Sequence, residues 1–255
     1  MEMPKNKFKH AIAAGKQQIG LWCTLPSAYT AEALATCGFD WILFDTEHSP
    51  ADPITVLDQL QAVAPYPVSP LVRVASNDAV LIKRILDIGA QSLLVPYVQN
   101  RKEAEQAVAA VRYPPAGIRG VAGSTRATRF GKISNYAKLA AEELCLIVQV
   151  ETRSALDEIE AIAALDGIDG IFIGPADLAA SMGFPGEHGH PEVVAAVEDA
   201  IKRIRKAGKP AGILTLDRTF ARRCIEIGTV FTAVDVDASL LVRQASAVAE
   251  EFSGL

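Results

Sequence analysis

Short apolar runs that alternate with longer segments of helical periodicity constrain the fold of this chain more than any other sequence feature. The runs are rich in Val, Ile, Leu and Phe, and a segment of helical periodicity follows each of them. Continuous apolar runs are typical of strands buried on both faces, and their alternation with helices predicts βα units and a parallel sheet. Eight strands are predicted, at 19–25, 41–47, 70–76, 92–98, 144–151, 169–174, 211–216 and 230–236.

Chain length bears on how these strands are arranged. A chain of 255 residues has the usual size of one (β/α)8 TIM barrel, so a closed α/β barrel is favoured over an open doubly wound sheet. No linker rich in Pro, Gly or Ser divides the chain, and we expect a single domain over residues 1–255. The longest connection, at 113–136, is expected to lie over the active-site face as a lid or a partner contact.

Composition and charge narrow the class of protein. Half of the residues are hydrophobic, 22% are charged and the mean hydropathy is +0.20, which excludes a disordered chain and a fibre. The net charge of −5 and the isoelectric point near 5.5 provide no basic surface for nucleic acid. We therefore expect small-molecule partners and no nucleic acid.

The cysteines and the hydropathy pattern bear on the compartment. Cys23, Cys37, Cys145 and Cys224 form no CxxC pair and are sparse, so we expect reduced thiols within the core of a cytoplasmic protein. The N-terminal segment lacks the apolar stretch of a signal peptide, and no later run approaches the roughly 18 apolar residues of a membrane span. No membrane partner is expected.

Polar residues at the predicted strand ends are the candidates for chemistry, because barrel active sites form at the carboxyl ends of the strands. His48 follows the second strand, Arg73 lies on the third, Glu151 ends the fifth and Asp177 follows the sixth. Each also has a purely structural interpretation: a helix cap for Asp177, a turn for Glu151 and a buried ion pair for Arg73. Their occurrence at neighbouring positions favours a shared site.

Two carboxylates on adjacent strands suit a hard divalent cation. Neighbouring strands lie about 4.8 Å apart, so Glu151 and Asp177 could share one ion with water completing its coordination. No lysine falls within a predicted strand, which disfavours a Schiff-base mechanism. The sequence also lacks a P-loop or a GxGxxG motif between a strand and a helix, so nothing indicates nucleotide binding.

Several ordered motifs together resemble the HpcH/HpaI aldolase family. They are FDWILFDTEHSP, LVRV, LIKRILDIGAQSLLVPYVQN, RYPPAGIRGV, VQVETRSAL, GIDGIFIGPADLAASMG and GKPAGIL. The likeness extends from about Ile19 to the C-terminus and is greatest for the branch that cleaves 4-hydroxy-2-oxoheptanedioate. The 2-dehydro-3-deoxyglucarate aldolases are close competitors, and citrate-lyase-type acyl-CoA lyases are a more remote alternative.

The resemblance implies a class II pyruvate aldolase, a carbon–carbon lyase. Such an enzyme uses Mg²⁺, Mn²⁺ or Co²⁺ to cleave 4-hydroxy-2-oxo acids reversibly to pyruvate and an aldehyde through a metal-bound enolate. It also implies a role in the catabolism of aromatic compounds. The implied assembly is a homo-oligomer, a hexamer built as a trimer of dimers, with the last helix at about 238–252 in the subunit interface.

The resemblance also assigns roles to residues of this chain. The implied metal ligands are Glu151 and Asp177. His48 matches the catalytic base, Arg73 the enolate-stabilising and substrate-binding arginine, and Asp87 the acid that raises the basicity of the histidine. The remaining positions belong to the substrate pocket: Gln149, the backbone N–H of Ala176, and two expected wall residues, Trp22 and Leu214.

Some positions depart from the family pattern or have a plainer interpretation. Thr46, Ser49 and Asp235 replace residues common in the family, which leaves the aldehyde preference open. The other histidines, His10, His188 and His190, are expected on the surface or in loops. A barrel without catalytic activity, acting as a binding module, is a further alternative, which the joint presence of the four strand-end residues disfavours.

Overall fold

Eight parallel strands pair in chain order and close on themselves in the computed structural model, which describes residues 1–253. The closed barrel confirms the predicted (β/α)8 fold and excludes the open sheet. The last two residues of the predicted domain, 254–255, lie outside the described residues. The strands are β1 Gln18–Cys23, β2 Trp41–Asp45, β3 Ser69–Arg73, β4 Ser92–Val95, β5 Cys145–Val150, β6 Gly170–Ile173, β7 Ala211–Leu214 and β8 Thr229–Val236.

Twelve helices accompany the strands in the described residues. They are α1 Lys7–Ala13, α2 Ala28–Ala35, α3 Pro53–Val63, α4 Ala79–Asp87, α5 Arg101–Val111, α6 Tyr136–Glu143, α7 Arg153–Asp157, α8 Ile159–Ala163, α9 Pro175–Ser181, α10 Pro191–Lys206, α11 Arg218–Ile227 and α12 Asp237–Glu251. Polar residues cap several of them: the side chains of Asp52, Asp78 and Asp217 accept hydrogen bonds from first-turn N–H groups of α3, α4 and α11. These caps fix where the chain turns from loop into helix.

Most of the predicted strands extend further than the observed strands at their carboxyl ends. The predicted strand 41–47 ends at Asp45, because the Asp45 carboxylate accepts the N–H of Glu47 at 2.9 Å and turns the chain. His48 consequently lies in the loop after β2. Such turns put the polar residues above the barrel.

Large aromatic side chains fill the amino-terminal end of the barrel. Phe8 of α1, which precedes β1, packs against Trp41 and Phe231 with ring centroids 5.8 and 5.7 Å apart. All three side chains are buried. Gly20 and Gly212 provide the room, since a Cβ at either position would overlap the ring of Trp41 or Phe231. The packed end leaves the opposite, carboxyl end open for a site.

The segment at 113–136 lies elsewhere than predicted. Helix α5 has already returned the chain to the amino-terminal side of the barrel before the segment begins, so the segment is a helix-to-strand connection. Within it, Ala127 N–H donates to the carbonyl of Asp87 at 3.1 Å, and Arg126 donates to the carbonyl of Ile88 at 2.7 Å. The prediction that it covers the active-site face of its own chain is therefore wrong.

The four cysteines do not share one environment. Cys23, Cys145 and Cys224 are buried and free, as expected. Cys37 is exposed, because it lies in the turn after α2 rather than on a face of the barrel, so the prediction of a core thiol is wrong there. Among the helices of residues 1–253, none has both the length and the apolar character needed to cross a membrane.

Helix α12 leaves part of the barrel wall uncovered. Its first residues contact β1 and β8: the Asp237 carboxylate accepts the N–H groups of Thr24 and Leu25, and Arg243 donates to the Asp235 carboxylate of β8. Every residue from 241 to 253 is exposed. Beside β8 lies a groove of about 320 Å³, lined partly by Ile19, Ala221, Ile225, Val234 and Leu240. The position where an eighth outer helix would pack is thus vacant in a single chain.

The close approach of Gly212 to Phe231 yields a prediction about stability. The Gly212→Ala variant should lower the free energy of unfolding by about 1 to 3 kcal/mol, because the new methyl group displaces a buried ring. Thermal unfolding followed by circular dichroism measures the effect. Gly123→Ala is the matched control, since a Cβ there meets no atom within 4 Å. Equal melting temperatures for the two variants would contradict this account of the packing.

Candidate active site

A cavity of about 460 Å³ opens at the carboxyl ends of the strands. It is bounded by residues from every strand except β4, from the loops that follow several of them and from the starts of α9, α10 and α11. Most of the residues predicted from the sequence line it: Trp22, His48, Arg73, Gln149, Ala176, Asp177 and Leu214. Glu151 lies directly behind this lining, in contact with Gln149.

Arg73 is held in a fixed position at the floor of the cavity. Its Nε donates to Asp45 Oδ1 at 2.8 Å, and Nη2 donates to the other Asp45 oxygen. Nη1 lies 2.8 Å from Glu47 Oε2, and the guanidinium stacks 4.7 Å from the centroid of the Trp22 ring. Arg73 is thus both a buried ion-pair partner and a cavity residue, and N–H donors remain for a ligand.

Asp45 is the acid that the sequence analysis did not assign. It is 1% exposed, lies opposite Arg73 in the β2–β3 register and also accepts the indole N–H of Trp22 at 3.2 Å. Burial alone would raise the pKa of Asp45, but the hydrogen bond and charge of Arg73 lower it below the ordinary value. The signal in the sequence was an acid and an arginine at the ends of consecutive buried strands.

Glu151 is oriented by two hydrogen bonds. Gln149 Nε2 donates to Oε2 at 2.5 Å, and the backbone N–H of Tyr97 donates to Oε1 at 2.8 Å. Tyr97 adopts a left-handed conformation with φ of 55°, which is strained for an aromatic residue and directs this N–H toward the carboxylate. Gly174 leaves the space that Glu151 occupies, since a Cβ there would lie 2.5 Å from Oε2.

Negative charge accumulates around Glu151. Burial, together with the neighbouring carboxylates of Asp177 and Glu47, raises the pKa of Glu151 to about 7 in spite of the two hydrogen bonds, which lower it. Burial also raises the pKa of Glu47. Within residues 1–253, no three His, Cys, Asp or Glu side chains form a complete metal site. The protein can supply two carboxylates to a cation, and oxygen atoms of substrate and water would complete the coordination.

The start of α9 presents backbone donors to the cavity. Gly174 precedes the helix and Pro175 is its first residue, so the N–H of Ala176 is among the groups that helix geometry leaves without an internal partner. Gln149 Oε1 is also buried without a hydrogen-bond partner. Gln149 and Ala176 both line the cavity, and their polar groups suit the binding of a small acid that carries a keto group.

His48 and Asp87 are not brought together within one chain. His48 is exposed at the cavity, and its backbone N–H lies 3.4 Å from Asp45 Oδ1. Asp87 ends α4 on the amino-terminal side of the barrel, where Arg119 Nη2 donates to it at 3.0 Å. A contact between Asp87 and His48 would therefore require a second copy of the chain.

The other histidines lie where the sequence analysis expected them, on the surface or in loops. His10 pairs with Glu143 at 3.0 Å, and His190 caps α10. His188 is an exposed loop residue, but it also lines the mouth of the cavity, which the sequence analysis missed. No local sequence pattern indicates that this loop lies over the cavity, because its position there depends on the tertiary fold.

Known proteins resemble this chain over nearly its whole length. The sequence profile of the HpcH/HpaI aldolase/citrate lyase family matches residues 18–244. A pyruvate aldolase of Rhizobium etli is 66% identical over 99% of this chain and 100% of its own length. A 4-hydroxy-2-oxo-heptane-1,7-dioate aldolase of Salmonella paratyphi A is 55% identical, over 97% of this chain and 95% of its own.

A solved structure supports the same assignment. A HpcH/HpaI aldolase/citrate lyase family protein from Burkholderia cenocepacia superposes with a TM-score of 0.94 at 39% identity, covering 97% of this chain and 99% of the other. The relatives confirm the predicted carbon–carbon lyase that releases pyruvate by aldol cleavage, and they do not favour the alternative activities. The chain belongs to the HpcH/HpaI aldolase/citrate lyase family.

Proposed function

We propose that the chain cleaves 4-hydroxy-2-oxo acids, 4-hydroxy-2-oxoheptanedioate among them, in a reversible reaction that depends on a divalent cation. The observation that carries this proposal is the convergence of Arg73, Gln149, Asp177 and His48 on one cavity, with Glu151 buried behind it. A part in the catabolism of aromatic compounds belongs to the same proposal. So does a cytoplasmic location, which suits free and sparse cysteines.

Glu151 and Asp177 are the proposed ligands of the cation. Their mutual repulsion, added to that of Glu47, fits a site that gains stability when a positive ion lies between them. Carboxylate oxygens with water suit Mg²⁺, Mn²⁺ and Co²⁺ alike. When bound, the cation supplies a Lewis acid that lowers the free energy needed to form an enolate from a 2-oxo acid.

The pyruvate part of the substrate is proposed to lie against α9 and β5. The N–H of Ala176 would donate to its carboxylate, and the Gln149 side chain would contact it from β5. Trp22 and Leu214 form apolar walls that exclude water on two sides. Polar contacts are stronger in a pocket from which water is excluded, because the local dielectric constant is low.

Arg73 is proposed to stabilise the enolate oxygen. Its position is set before substrate binds, because Asp45, Glu47 and Trp22 hold the guanidinium on three sides. A preorganised donor stabilises developing charge without reorganising during the reaction. The acids that orient Arg73 also offset part of its charge, so its contribution comes from directed N–H groups more than from net charge.

His48 is proposed as the base that takes the proton of the 4-hydroxyl group in cleavage and returns it to the aldehyde oxygen in synthesis. No side-chain hydrogen bond within residues 1–253 engages its ring, so it is free to meet a ligand at the cavity. Asp87 is proposed to raise the basicity of His48, which requires contact across subunits since the two lie at opposite ends of one barrel.

The exposed α12 and the uncovered groove beside β8 support an oligomer. Leu241, Val242 and Val248 of α12 and Phe252 directly after it are each more than half exposed, and together they form an apolar stripe that a single chain leaves uncovered. We propose that a second copy covers these surfaces. The hexamer, as a trimer of dimers, is the assembly that we propose.

The metal assignment predicts that chelation abolishes turnover and that Mg²⁺, Mn²⁺ or Co²⁺ restores it. Glu151→Gln and Asp177→Asn should each weaken Mn²⁺ binding, measured by electron paramagnetic resonance, because each removes a charged ligand. Glu160→Gln is the control, since Glu160 pairs with Arg203 on the surface. Unchanged Mn²⁺ affinity in both site variants, or trapping of pyruvate by borohydride, would refute the assignment.

The roles of His48 and Arg73 can be separated with two substrates. Oxaloacetate decarboxylation gives the same pyruvate enolate but has no 4-hydroxyl proton to remove. His48→Ala should lower kcat/KM for aldol cleavage by roughly 10² to 10⁴-fold and affect decarboxylation far less. Arg73→Lys should impair both reactions, because lysine cannot reproduce the paired contact with Asp45. Asp87→Asn should act as a weaker His48→Ala. Equal loss of both activities in His48→Ala would disprove this division of roles.

The assembly proposal predicts a mass well above the 27.2 kDa of one chain by light scattering. The double variant Leu241→Asp and Val248→Asp should shift the distribution to smaller species, because it puts charge into the apolar stripe. Ala247→Asp is the control, since helical periodicity places the exposed residue 247 on the face of α12 away from the apolar stripe. A wild-type monomer at micromolar concentration would contradict the proposal.

A further inference from the structure

The outer half of the cavity has a different character from its floor. The floor carries the charged and polar residues that the proposed function uses. The outer half is formed by the loop before α10, the start of α10 and the segment from β7 into α11, and its apolar side chains are Val194, Leu216 and Phe220. If pyruvate occupies the floor, the carbon chain of the aldehyde lies here.

His188 brings a basic group to this apolar region. It lies in the exposed loop between α9 and α10 and lines the cavity mouth next to Gly189. Within the described part of the chain, its ring takes part in no hydrogen bond and no ion pair. The nearby His190 differs, because its Nδ1 accepts the N–H of Glu192 and its ring stacks on Phe184 at 3.7 Å. His188 is therefore available to a ligand and His190 is not.

The other charged groups of the lining are already engaged. Asp45 and Arg73 pair with each other, and Asp177 belongs to the proposed metal site. The Asp217 carboxylate accepts the N–H groups of Thr219 and Phe220 at 2.8 and 3.1 Å, which offsets its charge at the start of α11. His48 is committed to the reacting hydroxyl group. Among the described residues, His188 is left as the basic side chain of the outer cavity that has no hydrogen-bond or ion-pair partner.

We infer that His188 is a specificity-determining residue that selects aldehydes with a carboxylate at the far end of a short apolar chain. The methylene groups of such an aldehyde would contact Val194 and Phe220, and its carboxylate would accept a charge-assisted hydrogen bond from His188. This inference rests on the proposed function and names the class of aldehyde that the same site would take.

The test compares succinic semialdehyde with butanal, which has the same carbon chain but ends in a methyl group. The measured quantity is the ratio of the two kcat/KM values for aldol addition of pyruvate with Mg²⁺ present. The ratio in wild type should favour succinic semialdehyde, and His188→Ala should lower it about tenfold, the loss of one charge-assisted hydrogen bond. Most of the change should be in KM for the aldehyde.

Two variants make the test specific. His188→Lys should keep most of the preference, because it retains a positive charge at the same place. His10→Ala is the matched control, an exposed histidine near the opposite end of the barrel that pairs with Glu143, and it should leave the ratio unchanged.

The outcomes distinguish the inference from the function on which it rests. A ratio in His188→Ala within about twofold of wild type, well short of the tenfold change for one charged hydrogen bond, would overturn the role of His188 and leave the aldolase proposal intact. Loss of the preference in His188→Lys to the same extent as in His188→Ala would overturn the role of charge. A wild-type protein that joins pyruvate to neither aldehyde would overturn the proposed function and the inference together.

Discussion

Closure of eight parallel strands into one barrel is the constraint on which the site depends. Because every strand runs in the same direction, all eight carboxyl ends meet at one face, and residues far apart in sequence become neighbours there. The strand register then decides which residues pair. Asp45 lies opposite Arg73, and the β5–β6 pairing brings Glu151 next to Gly174, the residue that precedes α9. The aromatic packing around Phe8 closes the opposite end.

Two groups of charged residues dominate the electrostatics of the cavity. Arg73 and Asp45 neutralise each other, whereas the carboxylates around Glu151 repel one another. Removing Arg73 or Asp45 from water is costly, and that cost is offset only by the paired hydrogen bonds and by the ring of Trp22. Within residues 1–253, Glu151 and Asp177 form no ion pair with a protein cation, and only Glu47 at the edge of this cluster pairs with Arg73. The buried Glu151 and the exposed Asp177 repel each other, and a ligand of opposite charge would relieve that repulsion. In the proposed function, Arg73 meets the substrate anion and these two acids meet the cation.

The proposed assembly would link the barrel wall to the active site. A single chain leaves the groove beside β8 open and exposes α12, while Asp87 lies at the amino-terminal end beside Arg119. In the proposed oligomer, a second copy covers the exposed surfaces, and Asp87, which pairs with Arg119 within its own chain, also meets His48 of a neighbour. Activity would then depend on protein concentration, because dissociation would separate His48 from that acid.

The sequence alone determined the eight strands, favoured their closure into one barrel and placed Arg73, Glu151 and Asp177 at strand ends, while the family resemblance added Gln149. It could do so because hydrophobic periodicity is local, and a parallel barrel puts the residues after each strand on one face. Only the tertiary structure decided the partner of Asp45, the strained Tyr97 that orients Glu151, and the arrival of His188 at the cavity mouth. It also moved the segment at 113–136 to the amino-terminal side, separated Asp87 from His48 and exposed Cys37. These features are contacts between distant parts of the chain, or depend on where a loop lies, and local periodicity carries no information about them.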